Sequence, residues 1–281
     1  MLATVGDLVE DVVVRLGGPI HVASDTEAVI ERRRGGSAAN VAAVAARING
    51  AARFLGQVGD DSLGDRLLAE LGDEGVDVSV VRRRGRTGSI VVLVDSRGER
   101  SFLTDPGDAR ALDGAEEAWL DDVDVLHVPL YSFVGGPIAA TASTLVRWAH
   151  WRSVAVSIDL SSSAVVDALG VDATRSLVEQ SRPDVVFANA DEATALDIDG
   201  PVASALTIVK RGGVSVVVHQ PGKTAVEVSA QDIGHVVDTT GAGDAFAAGF
   251  LTHGAWRSDP TEASRAGHAA AAALLRARTA E

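Results

Sequence analysis

The sequence predicts an α/β protein of three layers (αβα), with a central, mostly parallel sheet between helices and a small β-sheet lid standing off it. Three observations carry this expectation. Beyond Leu112, apolar strand-like runs alternate with helical stretches, the pattern of repeated βα units. The strand candidates Asp124-Val125-Leu126-His127-Val128 and Ser153-Val154-Ala155-Val156-Ser157-Ile158 are nearly all apolar, as a parallel sheet covered on both faces requires. Two early β-rich segments, approximately residues 11–33 and 88–104, fall outside the alternation and are the lid candidates.

Taken in order, residues 2–6 and 11–16 read as short strands, and 37–48 is an Ala-rich helix opening after Gly35-Gly36. A strand over 53–58 follows, then a helix over 62–71 with Leu63, Leu67, Leu68 and Leu71 at helical spacing. The β-branched run 89–94 ends in Asp95-Ser96-Arg97-Gly98, a hairpin signal. The regular part then reads helix 114–121, strand 123–128, helix 136–151, strand 153–158, a polar turn, helix 171–181 and strand 184–188. Pro221-Gly222 separates two alternating runs, 214–219 and 224–228, as a tight hairpin turn would; the nearby Gly222-Lys223-Thr224 lacks the upstream glycine of a P-loop, having Val217 there. Helices are expected over 245–255 and 262–276. No repeat or linker interrupts the 281 residues, so one domain is expected over 1–281.

Charge and composition exclude several classes of function. With 25 basic against 39 acidic residues, the net charge of −14 repels nucleic acid and anionic membrane. The absence of cysteine excludes disulfides, thiol catalysis and thiolate metal sites. No apolar run reaches about 18 residues. Asp7, Glu10 and Asp11 stand where a signal peptide would carry basic residues, so a cytoplasmic protein is expected.

The most informative segment is Asp238-Thr239-Thr240-Gly241-Ala242-Gly243-Asp244, followed directly by an apolar helical run. Small residues at 241–243 let successive backbone N–H groups approach an anion, and the positive helix end adds to the attraction. Asp244 would sit in the first turn, ionised and beside that cradle, where it could take a proton from an attacking hydroxyl. A lone Gly-x-Gly-Asp reads more simply as a turn with a helix-capping carboxylate. The full seven-residue string reverses that preference.

Asp238 to Asp244 resembles the second signature of the ribokinase-like carbohydrate kinases, the phosphofructokinase B family. Gly56-Gln57-Val58-Gly59-Asp60-Asp61-Ser62-Leu63-Gly64 and Gly75-Val76-Asp77 resemble its first signature, so the likeness spans almost the whole chain. Gly35-Gly36-Ser37-Ala38-Ala39-Asn40 resembles the family's sugar-contacting loop, and Gly6 with Asp11 its N-terminal strand. The resemblance implies transfer of the ATP γ-phosphate to a hydroxyl of a small sugar, with Asp244 as base and Gly241, Ala242 and Gly243 as anion hole. It implies acceptor binding by Asp11, Gly35, Gly36 and Asn40. Nucleotide contacts would come from Asn189, Lys210, Gly212, Thr239 and His268, and Mg²⁺ contact, through water, from Glu192. A lid would close over the site and could also join two subunits into a homodimer.

Local readings stand beside these. Ser37 could cap a helix, Asp7 could be a loop residue, and Asn189-x-x-Glu192 has capping-box spacing. Gly35 and Gly36 could simply end the basic stretch Arg32-Arg33-Arg34 before a helix, and Arg82-Arg83-Arg84 with Arg86 reads as a solvated loop and receives no function. The chain ends at Glu281 without the glycine-containing tail that in the family helps ring a monovalent cation, which counts against activation by K⁺. Val9 and Ser215 also depart from the family pattern, leaving the sugar and details of the nucleotide pocket open. An adenosine or other nucleoside kinase of the same fold is the alternative, with Phe102 the one aromatic in 88–104; a non-catalytic binding protein is a third reading.

Overall fold

The computed structural model describes all residues except 235, 237, 280 and 281, and only the backbone of Thr279. The chain runs β1 (Leu2–Val5), β2 (Val9–Leu16), β3 (Ala28–Gly35), α1 (Ser37–Asn49), β4 (Ala52–Leu55), β5 (Gln57–Val58), α2 (Ser62–Asp73), β6 (Val76–Asp77) and β7 (Arg82–Arg83). It continues with β8 (Thr87–Val94), β9 (Arg100–Gly107), β10 (Val125–Pro129), α3 (Pro137–Trp151), β11 (Ala155–Asp159), α4 (Ser163–Leu169) and α5 (Val171–Ser181). The last part is β12 (Val185–Asn189), α6 (Ala190–Ala195), β13 (Leu206–Lys210), β14 (Ser215–His219), β15 (Val226–Ser229), α7 (Ala242–Thr252) and α8 (Pro260–Thr279).

A nine-stranded sheet has the order β15-β14-β13-β12-β11-β10-β1-β4-β6. It is parallel from β6 to β13, and the hairpin β14–β15 closes one edge in antiparallel register. Side chains of successive residues divide between the two faces, as strand geometry dictates. Val185 and Phe187 join the core under α1, α7 and α8, whereas Val186 and Ala188 join the one under α3 to α6. A second, four-stranded sheet, β3-β2-β8-β9, stands apart from these layers. Among the described residues, no helix is long and apolar enough to cross a membrane.

Two expected elements change shape. The strand over 53–58 breaks at Gly56, where a Cβ would lie 2.5 Å from the Phe54 ring and 2.8 Å from Gly6 O, so the chain turns there between β4 and β5. The helix over 114–121 is reduced to one 3₁₀ turn, Glu117–Leu120. Trp119 and Leu120 are its two buried residues, too short an apolar stripe to hold a full helix against the sheet.

Small side chains set the helix spacing that the site depends on. The buried face of α1 is almost all alanine, and α7, which packs against it, buries Ala245, Ala247 and Ala248. On its other side α7 meets α8 so closely that a Cβ on Gly249 would sit 2.6 Å from Ala270 Cβ. The start of α1 and the start of α7 are thereby brought to the same place, at the carboxyl ends of the parallel strands.

Candidate active site

Asp244 lies in the first turn of α7, and its carboxylate is held by two residues of α1. Ser37 Oγ donates to Oδ1 at 2.8 Å and Asn40 Nδ2 donates to Oδ2 at 2.9 Å. Burial pushes the Asp244 pKa up to about 6, while these two donors act in the opposite direction. The result is a carboxylate that is mostly ionised at neutral pH yet basic enough to accept a proton.

Gly241 precedes α7 with φ of 76°, the left-handed region that glycine tolerates best, and so turns the chain into the helix. The Ala242 N–H is occupied, donating to Thr239 O at 3.1 Å. The N–H groups of Gly243 and Asp244 belong to the first turn, which has no intrahelical acceptor for them. Of the three expected anion-hole positions, Ala242 therefore has its N–H already engaged within the turn. Thr239 is exposed at the approach to this turn.

A cation reaches the same helix end. Lys210, the last residue of β13, places Nζ 3.4 Å from where a Gly243 Cβ would be, so any larger residue at 243 would crowd it. Lys210 Nζ also donates to Asp159 Oδ2 at 2.6 Å, with side-chain exposures of only 13% and 7%. Burial works against the ammonium, but the carboxylates of Asp159 and Glu192 outweigh it and raise its pKa. Asp159, Asn189 and Lys210 end the neighbouring strands β11, β12 and β13, where parallel sheets gather ligands.

Asn189 and Glu192 form a complete capping box on α6. Asn189 Oδ1 accepts from Glu192 N at 2.8 Å, and Glu192 Oε2 accepts from Asn189 N at 2.8 Å. Glu192 is 1% exposed. Burial and then the Asp159 charge raise its pKa to about 7. Among the described residues no three acidic or histidine side chains could cage a metal. The donor set of Asp159 and Glu192 fits Mg²⁺, which keeps much of its water and is held chiefly through phosphates.

The acceptor-side expectations meet around Asp11. A Cβ on Gly35 would lie 2.3 Å from Asp11 Oδ1, so the carboxylate rests directly on that glycine. Gly36 has φ of 101°, and a Cβ there would lie 2.3 Å from Asp7 O. Burial lifts the Asp11 pKa to about 6, with Arg33 opposing the rise. The neighbouring Asp7 is raised as well, by burial. Asp7, read from the sequence as a loop residue, thus belongs to this group. So does Tyr131, whose phenol is raised by burial and by the charges of Asp7, Glu192 and Asp244.

Two expected nucleotide-side residues stand apart from the Asp244 cluster. Gly212 occupies the exposed turn after β13, with φ of 60°. His268 is buried, its ring packed edge-on against Phe246 at 5.2 Å and Nε2 3.2 Å from Val228 O. Its visible role is to pack α8 against α7 and β15. Sequence reasoning did not pair Asp159 with Lys210, because the two are joined across 51 residues by sheet order alone.

The small sheet is tied to the helix entry by charge. Arg33 on β3 donates to Asp238 Oδ2 at 2.8 Å, and Arg100 on β9 donates to Asp238 Oδ1 at 2.9 Å and to Thr240 Oγ1 at 2.8 Å. Burial alone would raise the Asp238 pKa, but hydrogen bonds from Thr240 and the Arg33 guanidinium hold it well below the usual carboxylate range.

Comparison with known proteins agrees with this geometry. The family model for the pfkB family carbohydrate kinases matches residues 1–281. An ATP-dependent ribose-1-phosphate kinase of Halopiger xanaduensis is 33% identical over 257 residues, covering 84% of this chain and 78% of the relative. A fructokinase of Vibrio alginolyticus is 27% identical over 263 residues, covering 87% and 85%. The adenosine kinase of Sinorhizobium meliloti superposes with a TM-score of 0.83 at 26% identity, covering 100% and 99%. A buried carboxylate on a helix N-terminus, a cation at the same end and a match along the whole chain lead to one conclusion: the chain belongs to the pfkB family of carbohydrate kinases, phosphotransferases that act on a hydroxyl group.

Proposed function

We propose that the protein is an ATP-dependent sugar kinase in which Asp244 is the general base. The observation that carries this reading is the Asp244 carboxylate, fixed by Ser37 and Asn40 at the open end of α7 with a pKa near 6. Mg²⁺-ATP supplies the phosphoryl group and neutralises its charge. Asp244 removes the proton from the acceptor hydroxyl as the oxygen–phosphorus bond forms, and the bond from the γ-phosphorus to ADP breaks. Gly241, Ala242 and Gly243 leave room for the phosphoryl oxygens, with the N–H groups of the α7 entry and Lys210 offsetting their charge. Asn189, Lys210 and Thr239 line the approach for the nucleotide phosphates, with Gly212 farther out in the exposed turn after β13, and Asp159 and Glu192 would hold the hydrated Mg²⁺. Asp11, Gly35, Gly36 and Asn40 hold the acceptor, with Asp7 beside them.

The small sheet serves as a lid, linked to the helix entry through Arg33, Arg100 and Asp238. Closure would exclude water and limit wasteful ATP hydrolysis. Strand register puts Val12, Val14, Ile30, Val91, Leu93 and Leu103 on the face opposite Arg33 and Arg100. That apolar face is the contact proposed for a homodimer.

A nucleoside acceptor is the second reading, favoured by the end-to-end likeness to an adenosine kinase. The lid offers a purine only Phe102, which shares the face of Arg100 and is 60% exposed. Acceptor-dependent ADP release with Mg²⁺-ATP, measured across ribose, fructose, their phosphates, 2-keto-3-deoxygluconate and adenosine, decides between the readings. Turnover with a sugar and none with adenosine is expected; turnover with adenosine alone would replace the sugar by a nucleoside.

A further inference from the structure

Arg278 lies in the last turn of α8, yet its guanidinium is spent on the loop before α7. The two helices pack antiparallel, and the close approach of Gly249 to Ala270 sets their spacing. Eight residues back from Gly249 is Gly241, and eight on from Ala270 is Arg278. A Cβ on Gly241 would lie 3.5 Å from Leu274 Cδ2 and 3.7 Å from Arg278 Nη2, two residues one turn apart on the same face of α8. Packing of small residues thus delivers a guanidinium to the entry of α7. A basic residue in the last turn also suits the helix dipole, but Arg276, exposed in the same turn, serves that end without a partner on α7.

Arg278 Nη1 donates to the Thr240 carbonyl oxygen. The other polar groups of Thr240 are held too: its N–H donates to Asp238 Oδ1 at 2.9 Å, and its hydroxyl accepts from Arg100 at 2.8 Å. The Thr240 carbonyl shares a peptide unit with the Gly241 N–H, and in a planar trans peptide the two point in opposite directions. The Gly241 N–H therefore points away from Arg278, and it has no acceptor among the described residues. With the Ala242 N–H engaged, it is the first free donor at the entry of α7. A cation on the carbonyl side draws charge through the peptide and makes its N–H a stronger donor. Burial and then the charge of Arg33 lower the Arg278 pKa, but a guanidinium stays charged throughout the working pH range.

The family resemblance implies a monovalent cation near this loop. The groups present do not fit one, because the Thr240 carbonyl and both carboxylate oxygens of Asp238 already accept from guanidinium groups. We propose that Arg278 is a positioning residue for phosphoryl transfer, a fixed internal cation that orients and polarises the 240–241 peptide so that the Gly241 N–H binds the transferring phosphoryl group without help from a monovalent cation. The inference rests on the kinase reading and deepens it.

The test reads kcat at saturating Mg²⁺-ATP and acceptor, in the chloride salt of K⁺ and in that of tetramethylammonium. Wild-type kcat should be the same in both. Arg278→Ala should lower kcat at least about tenfold, short of the roughly 10²–10³ that outright loss of an oxyanion donor costs, while KM for ATP and for the acceptor stays nearly constant. Arg278→Lys should lose less than Arg278→Ala, and added guanidinium ion below denaturing concentration should restore part of the alanine variant's rate and none of the wild type's. Activation of the wild type by K⁺ overturns the proposal. So does a loss confined to KM for ATP, or a loss that guanidinium does not relieve, which would leave Arg278 a packing residue. The Gly241 amide, observed by NMR in protein labelled with ¹⁵N-glycine, gives a readout independent of turnover. Its nitrogen resonance should move upfield in Arg278→Ala, and a resonance that stays in place overturns the proposal even where the rate falls. An upfield move in a protein whose wild type shows no acceptor-dependent ADP release supports the polarised peptide and contradicts the kinase.

Discussion

Asn40 Nδ2 donates to Asp244 Oδ2 at 2.9 Å, joining α1 to α7 across 204 residues of sequence. The bond fixes where the carboxylate points and holds down a pKa that burial raises to about 6. Removing the donor lets burial act unopposed, so Asn40→Ala should raise the Asp244 pKa further. The acidic limb of the kcat/KM profile should then move to higher pH. A profile that falls uniformly, without moving, would show that Asn40 does not tune this group.

Lys210 and Asp159 form a buried pair. Asp159→Asn leaves a buried ammonium without its carboxylate and should cost about 3–5 kcal/mol of stability, read from urea unfolding. Lys210→Met should raise KM for ATP more than KM for the acceptor. Equal increases in both would remove Lys210 from the nucleotide side.

Gly35 and Gly36 separate two kinds of damage. At Gly35 a methyl would displace the Asp11 carboxylate, so Gly35→Ala should raise KM for the acceptor at least about tenfold with little change in melting temperature. At Gly36 a methyl would strike the Asp7 backbone at a positive φ, so Gly36→Ala should cost about 2 kcal/mol or more of stability. Thermal melts and acceptor titrations on both variants check this difference.

Glu192 should make stability depend on pH. Its folded pKa of about 7 lies above its ordinary value of 4.5, so the folded protein binds more protons between those limits. Its contribution is most favourable below pH 4.5 and is lost as pH rises through about 7. His127, held neutral by burial with a pKa lowered to about 4, works in the opposite direction. Comparison with Glu192→Gln isolates the carboxylate. The melting temperature of the wild type minus that of the variant should fall between pH 5 and pH 7.5, and a constant difference would contradict the assigned shift.

The outer face of the small sheet exposes Leu103 at 59% and Ile30 at 59%. Leu103→Glu should convert a dimer to a monomer in sedimentation velocity. A wild-type protein that is already monomeric at micromolar concentration would remove the dimer contact from the account.

Local chemistry made part of the site legible in the sequence. Asp238 to Asp244 is a loop entering a helix, so its positive φ, small residues and first-turn carboxylate are set within seven positions. Gly35, Gly36 and Asn40 are equally local, at the opening of α1. The three-layer arrangement followed from apolar strands alternating with helices. What escaped depends chiefly on distance in sequence, as for Asp159 with Lys210 and Ser37 with Asp244. Ser37 has the residue type of a cap, but Gly36 holds the cap position and the Ser37 hydroxyl is turned to Asp244. The lost helix over 114–121 had the composition but too little buried surface to hold it.

The central claim is proton removal by Asp244, and the most direct measurement is single-turnover phosphoryl transfer by Asp244→Asn beside the wild type. Both should be saturated with Mg²⁺-ATP and the acceptor found in the panel, with ATP affinity measured on the same preparations. The account predicts a rate lower by about 10²–10⁴-fold at nearly unchanged ATP affinity. A variant that transfers phosphate at the wild-type rate would contradict it and assign the base to another group.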